Sequence, residues 1–291
     1  MTSQRIIAAN ELIINEDGSA FHLHIKPCQL QPNIILVGDP NRVAMISSLL
    51  DFVYSEGSNR EFVWCSGEYK GKKITILSTG IGSDNIDIVL NELDSLVNID
   101  YSSRAVKSEL TELNIVRLGT CGVLQDDISA GEVVISRYSI GIDSLLGFYS
   151  VDYRVLECEL AEKFREELHW SKNLSKPYAA KSCDALFDKF KDLGRAGITV
   201  TAPGFYAPQG RYLRIKPWRE NFIADMAKFS YDSLKVNNLE MEAAPIMAMS
   251  SAMGHSAITL CIGIAQRAND NSNFDYHAAM LSLAKGVLDR F

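Results

Sequence analysis

The segment Ala243 to Met253, AAPIMAMSSAM, carries no charged side chain and is apolar on nearly every side. A helix of that composition must be covered all round, so it has to lie inside a layered fold. Pro245 fixes where the helix begins, because proline is tolerated only in the first turn. The preceding run Asn238-Leu239-Glu240-Met241-Glu242 therefore ends at or just before the helix start. Glu240 and Glu242 then sit beside a buried element, where a carboxylate is costly unless it accepts hydrogen bonds. Helix capping accounts for one of them and leaves the other to be explained.

Around this segment, strands alternate with helices, the pattern of an α/β protein. The apolar run Ile34–Val37 meets Gly38-Asp39-Pro40-Asn41-Arg42 and then a stripe of Val43, Met45, Ile46, Leu49 and Leu50. This reads as strand, turn and helix, with Asp39 at the N-cap and Pro40 at the first helical position. Arg42 falls in the first turn, where the helix dipole favours anions, so a cation there is unfavourable unless it helps hold one. Glu61–Trp64 and Lys73–Ser78 form a hairpin through Tyr69–Lys72. Thr79-Gly80-Ile81-Gly82 leads into a helix with Ile86, Val89, Leu90, Leu93 and Val97 on one stripe, capped by Ser83 or Asp84.

Ile115–Gly122, IVRLGTCG, reads as a short buried strand running into a turn of two glycines flanking Thr120 and Cys121. An interior strand seldom carries a guanidinium, so Arg117 calls for an anion or a carboxylate. Glu132–Ser136, Ile198–Thr201 and Ile258–Ile264 are further strands. Val155–Leu168 and the segment bearing Leu281, Ala284, Val287, Leu288 and Phe291 are amphipathic helices. Residues 98–114 read as a polar connection with a short helix around Ala105–Leu110. The loop Pro203–Tyr212 is too rich in proline and glycine to be regular. Its Phe205, Tyr206, Gln209 and Arg211 suit a flat polar ligand.

Residues 1–20 read as an irregular arm. In Phe21–Ile25, His22 and His24 share a face if the segment is extended, but no third ligand lies nearby and no metal site is expected. With neither an internal repeat nor a linker, residues 21–291 form one domain. The net charge of −7 argues against nucleic acid or membrane surfaces as partners, so an anionic ligand must be met by a local arginine cluster. The six cysteines make no short-spaced pair and read as reduced thiols. With no signal peptide or membrane span in view, the expected setting is cytoplasmic.

Taken in order, these turns resemble the nucleoside phosphorylase superfamily, and its uridine phosphorylase branch in particular. The motifs that carry the resemblance are Phe21-His22-Leu23, Gly38-Asp39-Pro40-Asn41-Arg42-Val43, Arg60-Glu61-Phe62, Ser78-Thr79-Gly80-Ile81-Gly82, Arg117–Gly122, Phe205-Tyr206 with Gln209 and Arg211, and Glu240-Met241-Glu242. The resemblance implies a three-layer sandwich with a central, twisted mixed sheet flanked by helices. It implies phosphorolysis of uridine to uracil and ribose 1-phosphate. Gly38, Arg42, Arg117 and Thr120 would hold phosphate, with Arg60 supplied by a neighbouring subunit. Glu240, Met241 and Glu242 would hold ribose, with His22 reaching the 5′-hydroxyl from the adjacent subunit. Phe205, Gln209 and Arg211 would bind the base. Arg117, Glu242 and Arg211 would carry the catalytic load. No organic cofactor or catalytic metal is implied; inorganic phosphate is the co-substrate, and the assembly is a homo-oligomer of dimer units, a hexamer.

Several positions depart from the family pattern. Ser83-Asp84-Asn85 replaces Gly-Pro-Ser, so Asp84 would bring a negative charge near the phosphate turn. A monovalent cation between paired subunits would use Glu61, Ile81 and a serine, and Asn85 stands at the serine position. Residues 98–114 are longer than the usual link, and Ala207-Pro208 with Gly210 alter the base loop. Purine-specific members carry an Asp after the strand Ile258–Ile264, whereas this chain has Ala265-Gln266-Arg267, with Asp270 too late to match. A purine or broad-specificity phosphorylase and a non-catalytic nucleoside-binding relative are the alternative readings.

Overall fold

The computed structural model describes residues 5–266 and 276–291. Arg267 and Asp270, cited above in comparing purine-specific relatives, lie outside the described residues.

The first half of the chain runs β1 (Asn33–Val37), α1 (Pro40–Ser47), β2 (Phe52–Asn59), β3 (Phe62–Tyr69), β4 (Lys72–Ser78), α2 (Ser83–Asn98), β5 (Ile99–Asp100), β6 (Ala105–Val106), β7 (Asn114–Val123) and β8 (Val133–Gly141). It continues through α3 (Cys158–Glu167), β9 (Tyr178–Lys181), α4 (Asp184–Phe190), β10 (Arg195–Thr201), α5 (Phe222–Lys228) and β11 (Ser230–Tyr231). Last come β12 (Leu234–Glu240), α6 (Ala243–Met253), β13 (Ser256–Gln266) and α7 (Tyr276–Arg290).

Eleven strands form one mixed sheet in the order β11-β12-β10-β8-β13-β7-β1-β4-β3-β2, with β9 beside β8. The three-layer arrangement follows from alternation along its central strands. Ile34 and Leu36 of β1 face one cluster with α2 and α6. Ile35 and Val37 face the opposite cluster with α1, α4 and α7. Side chains two apart share a face, so both faces of such a strand must be apolar. The expected all-round burial of α6 holds for Ala243 to Ser250, whereas Ser251 and Ala252 in its last turn are exposed.

One feature of the topology builds the site. The far end of β7 also pairs antiparallel with β12, Leu239 against Gly122 and Asn238 against Val123. This closes β7, β13, β8, β10 and β12 into a ring. The closure draws the Glu240–Glu242 corner over the face of β7 that bears Arg117.

Four local expectations give way. Gly119 to Gly122 are strand rather than turn, because β13 accompanies β7 as far as Val123. Residues 98–114 hold the two-stranded ladder of β5 and β6 in place of a helix. Arg104 between those strands donates to the Ile7 carbonyl at 2.9 Å and also holds Leu12, so this insertion pins the N-terminal arm. Phe21–Leu23 is turn and His24, at φ 52°, follows outside any strand, so His22 and His24 do not share a strand face. Finally, α2 begins from Gly82 at φ 97°, without a side-chain cap from Ser83 or Asp84. The α1 entry is as expected, with the Asp39 side chain accepting from the Asn41 N–H at 2.9 Å.

Candidate active site

The corner between β12 and α6 resolves the question of the two carboxylates. Glu240 is the cap: its Oε2 accepts the N–H groups of Glu242 and Ala243, each at 2.8 Å. Thr201 supports it, donating to Glu240 Oε1 at 2.6 Å while accepting the Ala244 N–H at 2.9 Å. Pro245 has no N–H to satisfy, so the donors at this helix start are accounted for. Glu242 does not cap its own helix. It reaches outward, accepting the Gly82 N–H at 2.8 Å on Oε1 and pairing with Arg117 through Oε2.

Arg117 is 4% exposed and Glu242 likewise 4%, so this ion pair is desolvated. Glu240 Oε2 lies 3.3 Å from Arg117 Nη1, and the same nitrogen donates to Cys261 Sγ at 3.2 Å. Burial works against the arginine cation, but the Glu242 and Glu240 carboxylates outweigh it and hold its pKa above the ordinary range. Burial pushes Glu240 up to about 7 despite Arg117. Contact with Cys261, together with burial, pushes the Cys121 thiol well up, so that thiol is not a ready nucleophile.

Gly119 is explained here. A Cβ at that position would overlap Arg117 Nη1 and lie 2.8 Å from Cζ. The glycine gives the guanidinium room to lie across its own strand.

Arg117, Glu240 and Glu242 line a cavity of about 940 Å³, large enough for a nucleoside with an anion beside it. Gly38, Arg42, Arg117, Thr120, Phe205, Gln209, Arg211, Glu240, Met241 and Glu242 all line it. His22 and Arg60 do not. They lie near each other on an outer face, joined by Asn59, whose Nδ2 donates to the His22 carbonyl at 2.8 Å. Arg60 is exposed and held at φ 54°.

Arg42 is 8% exposed, and its guanidinium lies 5.0 Å from the Tyr276 ring centroid. Both Arg42 Nε and Arg117 Nε are buried donors without a hydrogen-bond partner among the described residues. Two such donors on one cavity wall suit an anion with several acceptor oxygens. At the base loop, Arg211 stacks on Phe205 at 3.6 Å and donates to the Phe205 carbonyl at 2.6 Å and Gln209 Oε1 at 2.9 Å. The loop is thus a preformed aromatic–amide–guanidinium unit. Burial lowers the Arg211 pKa somewhat.

Glu61, Ile81 and Asn85 also line the cavity mouth. Asn85 Nδ2 donates to Glu61 Oε1 at 3.2 Å. The two side chains that the resemblance places at an interface cation are thus hydrogen-bonded to each other within this chain. Asp84 is exposed and does not line the cavity. The sequence reading missed Tyr276, Cys261 and Thr201, none of which stands in a motif.

The chain belongs to the phosphorylase superfamily, whose family model matches residues 32–288. It is 28% identical over 257 residues to a uridine phosphorylase of Thermococcus kodakarensis, covering 87% of this chain and 79% of that one. It is 28% identical over 245 residues to a DeoD-type purine nucleoside phosphorylase of Alkaliphilus metalliredigens, covering 83% and 85%. Among solved structures, a Trypanosoma brucei nucleoside phosphorylase described as showing uridine phosphorylase activity superposes with a TM-score of 0.86 at 27% identity. That match covers 96% of this chain and 98% of the other.

Proposed function

We propose that this protein catalyses the phosphorolysis of uridine, yielding uracil and ribose 1-phosphate. The observation that carries the reading is the sharing of one cavity by the Arg117–Glu242 pair, Arg42 and the Gln209–Arg211 unit. Phosphate is held by Gly38, Arg42, Thr120 and Arg117, desolvated and aimed at the anomeric carbon. An oxygen of phosphate forms the bond to C1′ as the C1′–N1 bond breaks and its electron pair leaves with the base. Glu242, with Met241 and Glu240 beside it, positions the ribose hydroxyls and tolerates the positive charge of an oxocarbenium-like state. Gln209 pairs with the amide edge of uracil, Phe205 packs on the ring, and Arg211 stabilises its developing negative charge. The chain's own residues supply this chemistry by positioning and electrostatics.

His22 and Arg60 serve the site of a neighbouring copy, the first at the ribose 5′-hydroxyl and the second at phosphate. Their placement outside the chain's own cavity, side by side on one face, supports that role and a homo-oligomer built from dimers, with a hexamer as the full assembly. The free cysteines, two of them exposed, support a reducing, cytoplasmic setting. Among the described residues no helix is long and apolar enough to cross a membrane.

The test is incubation with uridine, with and without phosphate, following uracil and ribose 1-phosphate. Phosphate-dependent formation of both is the expected result. Uracil release without phosphate would make the protein a nucleosidase, and binding without release a nucleoside-binding relative. Activity on inosine alone would sink the pyrimidine assignment.

A further inference from the structure

We infer that Glu92, on the face of α2 away from the cavity, is the positioning residue that fixes His22 for the neighbouring copy's ribose. This rests on the assignment of His22 to the 5′-hydroxyl given above. Glu92 is partly buried and its carboxylate is saturated by one short stretch of chain. Its two oxygens each lie 3.0 Å from the His22 N–H, and Oε2 accepts the Leu23 N–H at 2.9 Å. The same carboxylate meets the His22 ring, with Nδ1 at 2.6 Å from Oε1. Leu23 is fully buried in the core beside α2, so the turn cannot shift without unpacking it. On the other side, Asn59 Nδ2 holds the His22 carbonyl at 2.8 Å and Phe21 packs edge-on against the ring at 4.7 Å.

The chemistry of the contact decides what His22 offers. An ionised carboxylate only accepts hydrogen bonds, so Nδ1 carries the proton. In the neutral ring Nε2 is then the acceptor, ready to take a hydrogen bond from a hydroxyl. The His22 side chain is 28% exposed, so that edge is accessible from outside the chain. Glu92 thus selects tautomer and ring orientation together.

The test compares uridine with 5′-deoxyuridine, which lacks the hydroxyl. His22→Ala is expected to lower the preference for uridine, as a ratio of kcat/KM values, by about 2–10-fold, the worth of one hydrogen bond. Glu92→Gln is expected to lower it in the same direction by at least about twofold. The double variant should lose no more preference than His22→Ala alone, because both changes break one arrangement. If His22→Ala leaves the preference unchanged, the assignment of His22 fails and the inference with it. If His22→Ala lowers it but Glu92→Gln does not, or if Glu92→Gln slows both substrates equally, Glu92 is structural only and the inference alone is overturned. A second measurement needs no Glu92 variant: ¹⁵N spectra of histidine-labelled wild-type protein, with the His22 signal assigned by its loss in His22→Ala. A proton on Nδ1 is expected; a proton on Nε2 with bare Nδ1 overturns the inference even if Glu92→Gln fails to fold.

Discussion

Removing Arg117 tests the core of the site, because its guanidinium is the cation that faces two buried carboxyl groups at once. Arg117→Ala leaves Glu242 and Glu240 buried without their cation. Breaking a buried pair from one side typically costs about 3–5 kcal/mol. With an unfolding entropy of about 2.1 cal/mol/K per residue over 291 residues, the melting temperature should fall by about 5–8 °C. The deficit depends on pH, and its sign follows from Glu240. Arg117 opposes the upward push of burial on that carboxyl, so its loss drives the native pKa still further above the ordinary 4.5. A group raised in the native state contributes stability that is full below its unfolded pKa and lost as pH rises through its folded one. The variant is therefore closest to wild type near pH 4.5 and furthest from it above neutrality. Adding Glu242→Gln should recover part of the lost stability while turnover stays abolished. Calorimetry of the single and double variants at about pH 5 and about pH 7.5, alongside uracil release, decides the matter. An Arg117→Ala protein that melts with wild type at the higher pH, or a double variant no more stable than the single, would refute the reasoning.

Gly119→Ala should keep the fold at a cost of about 1–3 kcal/mol, because its methyl group displaces the Arg117 guanidinium. It should cut phosphorolysis by about 10²-fold, the effect of a misplaced reacting group; unchanged kinetics would show that the guanidinium does not lie there. Glu240→Gln should flatten the pH dependence of stability: the wild-type contribution is present below 4.5 and lost as pH rises through about 7, and urea titrations should show that slope vanish in the variant. Arg60→Ala and Arg117→Ala, each inactive alone, should regain uracil release when co-expressed, since a mixed pair contains one site with both arginines. No recovery in proven hetero-oligomers would remove Arg60 from its neighbour's site.

The sequence was readable where the governing interaction is local. Asp39 and Pro40 start α1 by capping chemistry that spans three residues, and the apolarity of 243–253 marked a helix of those bounds that is buried as far as Ser250. It misled where distant partners decide. Gly-Thr-Cys-Gly looks like a turn in isolation, but β13 and β12 supply ladder partners that hold it extended. The glycine of that run is there for Arg117, a reason only the folded geometry reveals. The short helix foreseen at 105–110 lost to a ladder whose Arg104 turn fastens the N-terminal arm. Ten of the candidate residues converge on one cavity, those of the strand-end and helix-start motifs joined there by the loop of Phe205, Gln209 and Arg211. His22 and Arg60 carry motifs just as clear, yet neither lines the cavity that the other candidates share.

Hydrogen-bond capacity shows why a pair of opposite charges suits a site meant to bind something else. A carboxylate has about four acceptor positions, two per oxygen. Glu242 uses one on Oε1 for the Gly82 N–H and one on Oε2 for Arg117. One position per oxygen is left, which matches the two vicinal hydroxyls of a ribose. Arg117 has five donors in a planar fork. Nη1 is directed to Cys261 and Glu240, Nη2 to Glu242, and Nε–H has no partner among the described residues. The fork therefore retains donors for a phosphate without giving up Glu242. Each partner fixes the other while its remaining capacity is left open, so under the proposed function nucleoside and phosphate would meet groups already desolvated and oriented. Under the proposed function, the two readings of Arg117, a structural ion pair or a ligand for an anion, are therefore compatible: the ion pair would hold the free edge of the guanidinium in place for phosphate.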